Sequence, residues 1–185
     1  MVDGKFIDWN EVDALFQGVD IIIAHNASFD RAFIDRFSSN SRSKIWACSI
    51  NDIDWLERGF TSSKQELLCY WHGFYFDAHR AMNDVDALIH LLTFDTGLER
   101  PLLELIKNSN KSEFVIYAEH FKYDPVKKDI LKGNKYRWNQ NNKLWFKKVN
   151  PDELEQEKDW LTATIYDQEF KGRVEEILPC DKYKS

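Results

Sequence analysis

The sequence predicts an α/β protein that carries a small α+β domain at its C-terminal end, and three observations indicate this. Residues 20–24 form a short run rich in β-branched side chains that passes directly into a helical pattern. The apolar segments after residue 110 follow the order β-α-β-β-α-β. The chain has 185 residues, 43% of them hydrophobic, which is enough for one domain and a small addition. We therefore predict domains at residues 1–110 and 111–185.

The apolar pattern of the first domain predicts alternating strands and helices. Residues 20–24 are typical of a parallel strand covered on both faces by helices, so we expect this strand in the centre of a sheet. Ser28 can cap a helix whose apolar residues continue to Phe37. A second strand is expected over residues 44–48, and further helices over residues 51–58, 63–71, 85–97 and 101–107.

The second domain begins after a stretch without apolar residues, 108–112. We predict helices that begin at Pro125 and Pro151, because proline is favoured in the first turn of a helix. The expected strands are residues 114–118, 136–138, 144–148 and 173–178. This order permits a split β-α-β sandwich.

The formal net charge of −6 is unevenly distributed along the chain. Residues 1–110 hold 10 Lys and Arg against 17 Asp and Glu, and residues 151–185 hold 5 against 10. Residues 111–150 hold 10 against 4, a local charge of +6. A basic segment inside an acidic chain bears on the choice of binding partner and not on the fold.

Composition also bears on location. The longest apolar run, residues 19–24, is far shorter than the roughly 20 residues of a membrane span, so we expect no membrane partner. No secretory signal pattern opens the sequence. The three cysteines, Cys48, Cys69 and Cys180, form no C-x-x-C pair, which favours a reducing compartment. We therefore expect a cytoplasmic protein.

Three polar residues are the first candidates for chemistry. Asp30 lies in the first turn of a helix, just past the carboxyl end of the strand 20–24, where open α/β sheets bind ligands. Asp84 begins another helix, at the edge of the face that packs on the sheet, and His79 precedes it in a loop. A purely structural interpretation stays open, because a carboxylate in a first turn also stabilises the helix dipole.

Taken together, these stretches carry a resemblance. The sequences H-N-A-S-F-D-R-A-F at residues 25–33 and H-R-A-M-N-D at residues 79–84 resemble the second and third motifs of the DEDDh 3'-5' exonucleases. This group includes the epsilon subunit of DNA polymerase III and ribonuclease T. Residues from Phe114 onward resemble a C-terminal extension of some bacterial members. The resemblance implies a partial ribonuclease-H-like domain that hydrolyses terminal phosphodiesters of DNA or RNA during replication or repair.

The resemblance also implies roles for individual residues. Members of the group hold two Mg²⁺ or Mn²⁺ ions with four carboxylates, and a histidine takes a proton from the attacking water. Matching positions make Asp30 and Asp84 metal ligands and His79 the general base. Asn26 would shape the substrate-binding loop before Asp30, whereas His25 is expected to be a packing or loop residue. The implied partners are single-stranded 3' ends and a polymerase.

The first motif of the group, D-x-E on a strand, is not found at the expected place, because only 29 residues precede Asp30. The only D-x-E in the sequence is Asp167-Gln168-Glu169, which follows a predicted helix and lies in no predicted strand. We therefore expect a chain that begins inside the exonuclease domain and has impaired activity. We also expect an exposed sheet edge at residues 20–24, open to homodimerisation. The alternative is a non-catalytic module that binds nucleic acid or a polymerase partner.

In the basic segment, aromatic residues alternate with cations: Tyr136, Arg137, Trp138, Trp145 and Lys147. Aromatic faces beside cations suit single-stranded nucleic acid, so these residues are candidates for substrate binding. Alternation in a two-stranded hairpin would instead bury the aromatic rings and expose the cations. The sequence leaves both interpretations open.

Overall fold

The computed structural model describes residues 4, 6–78, 80–94, 97, 99–166 and 168–184. The chain forms two compact units: unit 1 is Met1–Asn110 with Pro179–Ser185, and unit 2 is Lys111–Leu178. The predicted second domain, residues 111–185, is therefore corrected at its end. The reason is that the Arg31 guanidinium donates hydrogen bonds to the backbone carbonyls of Cys180 and Lys182, at 2.8 and 2.6 Å, which ties this segment to unit 1.

Unit 1 contains a pair of parallel strands and six helices among its described residues: α1 (Trp9–Gln17), β1 (Ile21–Ala24), α2 (Ala27–Ile34), α3 (Ser39–Ser43), β2 (Ile45–Cys48), α4 (Gln65–Trp71), α5 (Ala81–Thr93) and α6 (Pro101–Ser109). Strand β1 pairs with β2 in register, from Ile21 opposite Ile45 to Ala24 opposite Cys48. Within the described ranges β1 has this one neighbour, so it lies at a sheet edge and not in a sheet centre.

The helix predicted over residues 51–58 is wrong. The segment forms turns, because aspartate side chains compete for the backbone donors that a helix would use. Oδ1 of Asp54 accepts from the backbone N–H groups of Leu56 and Glu57, at 3.0 and 2.9 Å. The Asp52 carboxylate accepts from the N–H of Cys48 at 2.7 Å.

Two hydrophobic clusters form the core of unit 1. The larger one joins β2 to α4, α5 and α6 through buried residues that include Ala47, Leu68, Leu91 and Leu105. The smaller one packs Ala27 and Trp46 with Tyr183 of the C-terminal segment. The two strands are thus anchored to helices, and the beginning of α2 is fixed against β2.

Unit 2 is a four-stranded antiparallel sheet with helices: β3 (Glu113–Ala118), α7 (Pro125–Gly133), β4 (Arg137–Asn139), β5 (Leu144–Val149), α8 (Leu154–Leu161) and β6 (Arg173–Ile177). The predicted order β-α-β-β-α-β is confirmed. The sheet order is β4-β5-β3-β6, which places the first and third strands of the unit in the centre, as in a split β-α-β arrangement.

The helices of unit 2 and one side of its sheet enclose the core. Ile116 and Trp145 from the central strands pack with Leu131 of α7 and Leu161 of α8. A 3-10 turn, Pro151–Glu153, precedes α8, and a π-helical turn, Thr162–Tyr166, follows it. The chain is thus a mixed α/β protein. Within the described ranges, no helix has both the length and the apolar character that crossing a membrane requires.

Candidate active site

A cleft of about 840 Å³ lies beside β1 in unit 1. Its walls are apolar and come from β1, α2, α5 and Phe76. Six polar or charged residues also line it: His25, Asp30, Lys64, Gln65, Glu66 and Asp84. The structure therefore brings the two predicted metal ligands, Asp30 and Asp84, to one cleft.

Asp30 is positioned by a tight turn between β1 and α2. Asn26 adopts the left-handed conformation, with φ of 71°, and the N–H of Ala27 then donates to Sγ of Cys48 at 3.4 Å. Helix α2 begins at Ala27, so Asp30 falls in its first turn. Burial raises the pKa of the Asp30 carboxyl. A carboxylate partly withdrawn from water at the carboxyl end of a strand is a suitable ligand for a cation.

Asp84 is positioned by the first turn of α5. Its backbone N–H donates to the carbonyl of Arg80 at 2.9 Å, and its carbonyl accepts from Nε2 of Gln65 on α4 at 2.5 Å. These bonds fix the beginning of α5 against α4. The Asp84 side chain lies at the same cleft as Asp30 for this reason.

His25, which was expected to be a packing or loop residue, lies in the turn between β1 and α2 and also lines the cleft. Its Nδ1 is 2.8 Å from Oγ of Ser49, and the N–H of Ser49 donates to the carbonyl of Ala24 at 3.0 Å. Burial lowers the pKa of His25, and the nearby Asp84 carboxylate opposes this change. A largely neutral imidazole beside a carboxylate can accept or donate a proton near neutral pH. In the sequence, the position of His25 directly after the predicted strand 20–24 was the signal that it could lie at this site.

The other residues considered for this site are His79, Asn26 and the D-x-E sequence at residues 167–169. The predicted base, His79, lies outside the described residues, as does Asp167 of the D-x-E sequence at residues 167–169. Asn26 occupies the N-cap position of α2 without a side-chain capping hydrogen bond, and its Oδ1 accepts from Oγ of Ser28 at 3.3 Å. It lines a neighbouring cavity of about 670 Å³, which Asp30 also lines. Asn26 therefore shapes the turn that positions Asp30.

The donor set of the cleft is small for the expected pair of divalent cations. Across the described ranges, no three His, Cys, Asp or Glu side chains are close enough to hold one metal ion. Two carboxylates can bind a hydrated Mg²⁺ or Mn²⁺ weakly, but they cannot hold two such ions against their repulsion. The described residues thus do not form a complete two-metal site.

The candidate binding residues of unit 2 separate into two groups. Tyr136 and Trp145 are buried, with 3% and 8% of their surfaces exposed, and both belong to the core. Lys147 also faces this side, where its Nζ lies 2.5 Å from the carboxylate of Glu157 on α8. The hairpin-core interpretation therefore describes Tyr136 and Trp145, whereas it predicted an exposed Lys147 and is wrong for that residue.

Arg137 and Trp138 are the accessible members of the set. Trp138 is 46% exposed and lies next to Trp145, with 5.4 Å between the ring centroids. Arg137 is exposed on the neighbouring position of β4. Only these two of the five predicted residues are open to a ligand.

Comparison of this chain with protein-family models, with curated proteins and with solved structures finds no match.

Proposed function

We propose that unit 1 is a metal-dependent 3'-5' exonuclease domain of the DEDDh type with strongly reduced turnover in this chain. The observation that carries the proposal is the presence of Asp30 and Asp84 at one cleft, each in the first turn of a helix. The substrate is the 3' end of single-stranded DNA or RNA. The protein therefore acts in replication or repair, beside a polymerase.

The low turnover follows from the chemistry of the reaction. Hydrolysis of a phosphodiester requires attack on an anionic phosphorus and stabilisation of an alkoxide leaving group. Divalent cations supply both, and such cations need oxygen ligands. Asp30 and Asp84 supply some of these oxygen ligands, but they do not supply a complete set. His25 and Ser49 add a hydrogen-bonded pair that can orient a water molecule near the two carboxylates.

The experiment is a nuclease assay of the purified chain with 5'-labelled single-stranded DNA and RNA in the presence of Mn²⁺. We expect very slow shortening from the 3' end or none. Any shortening should be lost in Asp84→Asn and kept in Asp86→Asn, because Asp86 is exposed on the same helix and does not line the cleft. Rapid, processive shortening that requires Asp84 would contradict the proposed low turnover.

A second function is favoured by the small donor set: a non-catalytic module that binds nucleic acid or a polymerase partner through the same cleft. The assay separates the two functions when it is run with large amounts of protein and long incubation. Slow shortening that depends on Asp30 and Asp84 supports the exonuclease. Binding of the oligonucleotide without any Asp84-dependent shortening supports the module.

A further inference from the structure

The sheet of unit 2 has a second face, opposite its helices, that carries a row of aromatic and basic residues. Phe146 of β5 lies opposite Arg137 of β4 and also opposite Tyr117 of β3. Tyr117 in turn lies opposite Arg173 of β6. Directly opposite residues of antiparallel strands point to the same face. The row Arg137, Phe146, Tyr117 and Arg173 therefore crosses all four strands; we call it the open-face row.

The alternation of side chains shows that this row faces away from the core. Ile116, Ala118 and Trp145 are the chain neighbours of Tyr117 and Phe146, and all three are buried in the core with the helices. Successive residues of a strand point to opposite faces. Tyr117 and Phe146 are accordingly only partly buried, and Arg137 is exposed.

Contacts within the open-face row keep its rings and guanidinium groups together. The guanidinium carbon of Arg173 lies 4.0 Å from the centroid of the Tyr117 ring, and the Tyr117 and Phe146 centroids are 6.4 Å apart. The Tyr117 hydroxyl donates to Glu175 at 3.0 Å. These contacts fix the position of Tyr117 before any ligand binds, and fewer rotamers remain to be ordered on binding.

The charges along the row differ between its two ends. Arg173 forms ion pairs with Glu119 and Glu175, so its charge is largely compensated. The backbone of Arg137 pairs with β5, but its guanidinium has no hydrogen bond or ion pair with any residue that the structure describes. The acidic Glu113, two rows away on the same face, is paired with Lys148 at 3.3 Å. The end of the row at Arg137 and Phe146 is thus the end at which an anionic ligand meets an uncompensated cation.

We propose that the open-face row binds single-stranded nucleic acid. Phe146 and Tyr117 lie on the two central strands, where a base can stack on the Phe146 ring and on the Arg173 guanidinium that covers the Tyr117 ring, and Arg137 contacts the phosphates. The basic segment that contains both strand β4 and strand β5 attracts the polyanion. This inference does not depend on the exonuclease proposed for unit 1. It also differs from the sequence prediction, whose Tyr136, Trp145 and Lys147 lie on the helix-covered face.

The experiment measures binding of fluorescent oligo-dT and oligo-U to the full chain by anisotropy at low salt, with EDTA present to prevent metal binding at the cleft. Phe146→Leu keeps an apolar side chain and removes the aromatic ring, and we expect it to weaken binding roughly tenfold. Arg137→Gln should weaken binding less and reduce the slope against salt concentration by about one.

Tyr123→Leu is the matched control, because Tyr123 is an exposed ring of unit 2 that lies outside the open-face row. It should leave binding unchanged. Hydrogen exchange gives a second measurement that needs no variant: oligo-U should slow exchange in β3 and β5 more than in α7. Absence of binding by the unmodified chain at low salt, as expected if this face instead receives a protein, would overturn the proposal.

The cleft of unit 1 is tested separately with the double variant Asp30→Asn, Asp84→Asn. Binding that persists in this variant and is weakened by Phe146→Leu supports the open-face row, whatever the outcome of the nuclease assay. Binding that is lost in the double variant and unaffected by Phe146→Leu would contradict the row while leaving the exonuclease proposal intact.

Discussion

The two units bury different kinds of side chain. In unit 1 the buried polar residues include Arg31, Asp52 and Lys182. In unit 2, within the described ranges, Glu157 is the one buried residue of this kind, and its other buried side chains form a hydrophobic core. Unit 1 therefore depends on specific hydrogen bonds between distant parts of the chain, whereas the buried side chains of unit 2 are mostly apolar.

The C-terminal segment illustrates this dependence. Nζ of Lys182 lies 3.4 Å from the carboxylate of Asp52, and each of the two residues is only 3% exposed. The same Nζ donates to the carbonyl of Asn108 at 2.9 Å. Unit 2 is thus an insertion in the chain of unit 1, whose last segment returns to complete the network around Arg31.

The largest expected effect is that of Arg31→Met. The Arg31 side chain is fully buried, and its guanidinium donates to three backbone carbonyls and to Asp35. Methionine would leave these acceptors without their donor, so we expect a loss of about 3–5 kcal/mol in the free energy of unfolding. Urea denaturation followed by circular dichroism measures the loss.

The matched control is Arg36→Met, in the exposed residues after α2, which should change stability by no more than about 0.5 kcal/mol. A similar small change for Arg31→Met would contradict the claim that buried hydrogen bonds hold the C-terminal segment on unit 1.

A smaller effect is expected from pH, and it arises from His72 in unit 1. Its ring stacks on Phe94, with centroids 4.5 Å apart, and lies 6.2 Å from the ring of His90. Among the described residues neither ring nitrogen has a hydrogen-bond partner. Burial, and secondarily the neighbouring His90, lower the pKa of His72 below its ordinary value of 6.5.

The sign of the pH effect follows from this direction. Below about pH 6.5 the unfolded chain takes up a proton that the folded His72 does not, so stability falls as the pH decreases. The lowered pKa of His25 adds to the fall. The raised pKa values of Asp30 and Asp52 act in the opposite direction, in a more acidic pH range that begins at the ordinary aspartate value of 3.8.

His72→Phe should therefore make stability less dependent on pH between neutrality and mildly acidic conditions, by up to about 1.4 kcal/mol per pH unit. Thermal unfolding at several pH values measures the slope. His120→Gln is the control, because the His120 side chain is 73% exposed, and it should leave the slope unchanged. If the pH dependence of stability were unchanged in His72→Phe, protonation of His72 would not destabilise the folded state, and the prediction would be wrong.

Local patterns predicted most of the strands and helices. The β-branched run became β1, and proline at a first turn marked α6 and α7, because these signals act within a few residues. The helix over residues 51–58 was wrong because Asp52 and Asp54 bind backbone donors, which apolar spacing does not report. The partners of Arg31 were also hidden, because they lie 149 and 151 residues away.

The candidate sites differ in the same way. Asp30 and Asp84 could be predicted because a strand end and a helix beginning identify positions that face a cleft. His25 was expected to be a packing or loop residue because the resemblance assigns the general base to the other motif, and the sequence does not show its contact with Ser49, 24 residues away. The open-face row needed the register of four strands, since Tyr117, Phe146 and Arg173 are far apart in the sequence.

Binding of Mn²⁺ is the most direct test of the central claim, that Asp30 and Asp84 form one cation-binding cleft. Water-proton relaxation during a Mn²⁺ titration measures it, in the unmodified chain and in Asp30→Asn, Asp84→Asn and Asp86→Asn. We predict weak binding of one ion that is lost in the first two variants and kept in the third. Absence of binding, or binding that both cleft variants retain, would contradict the account.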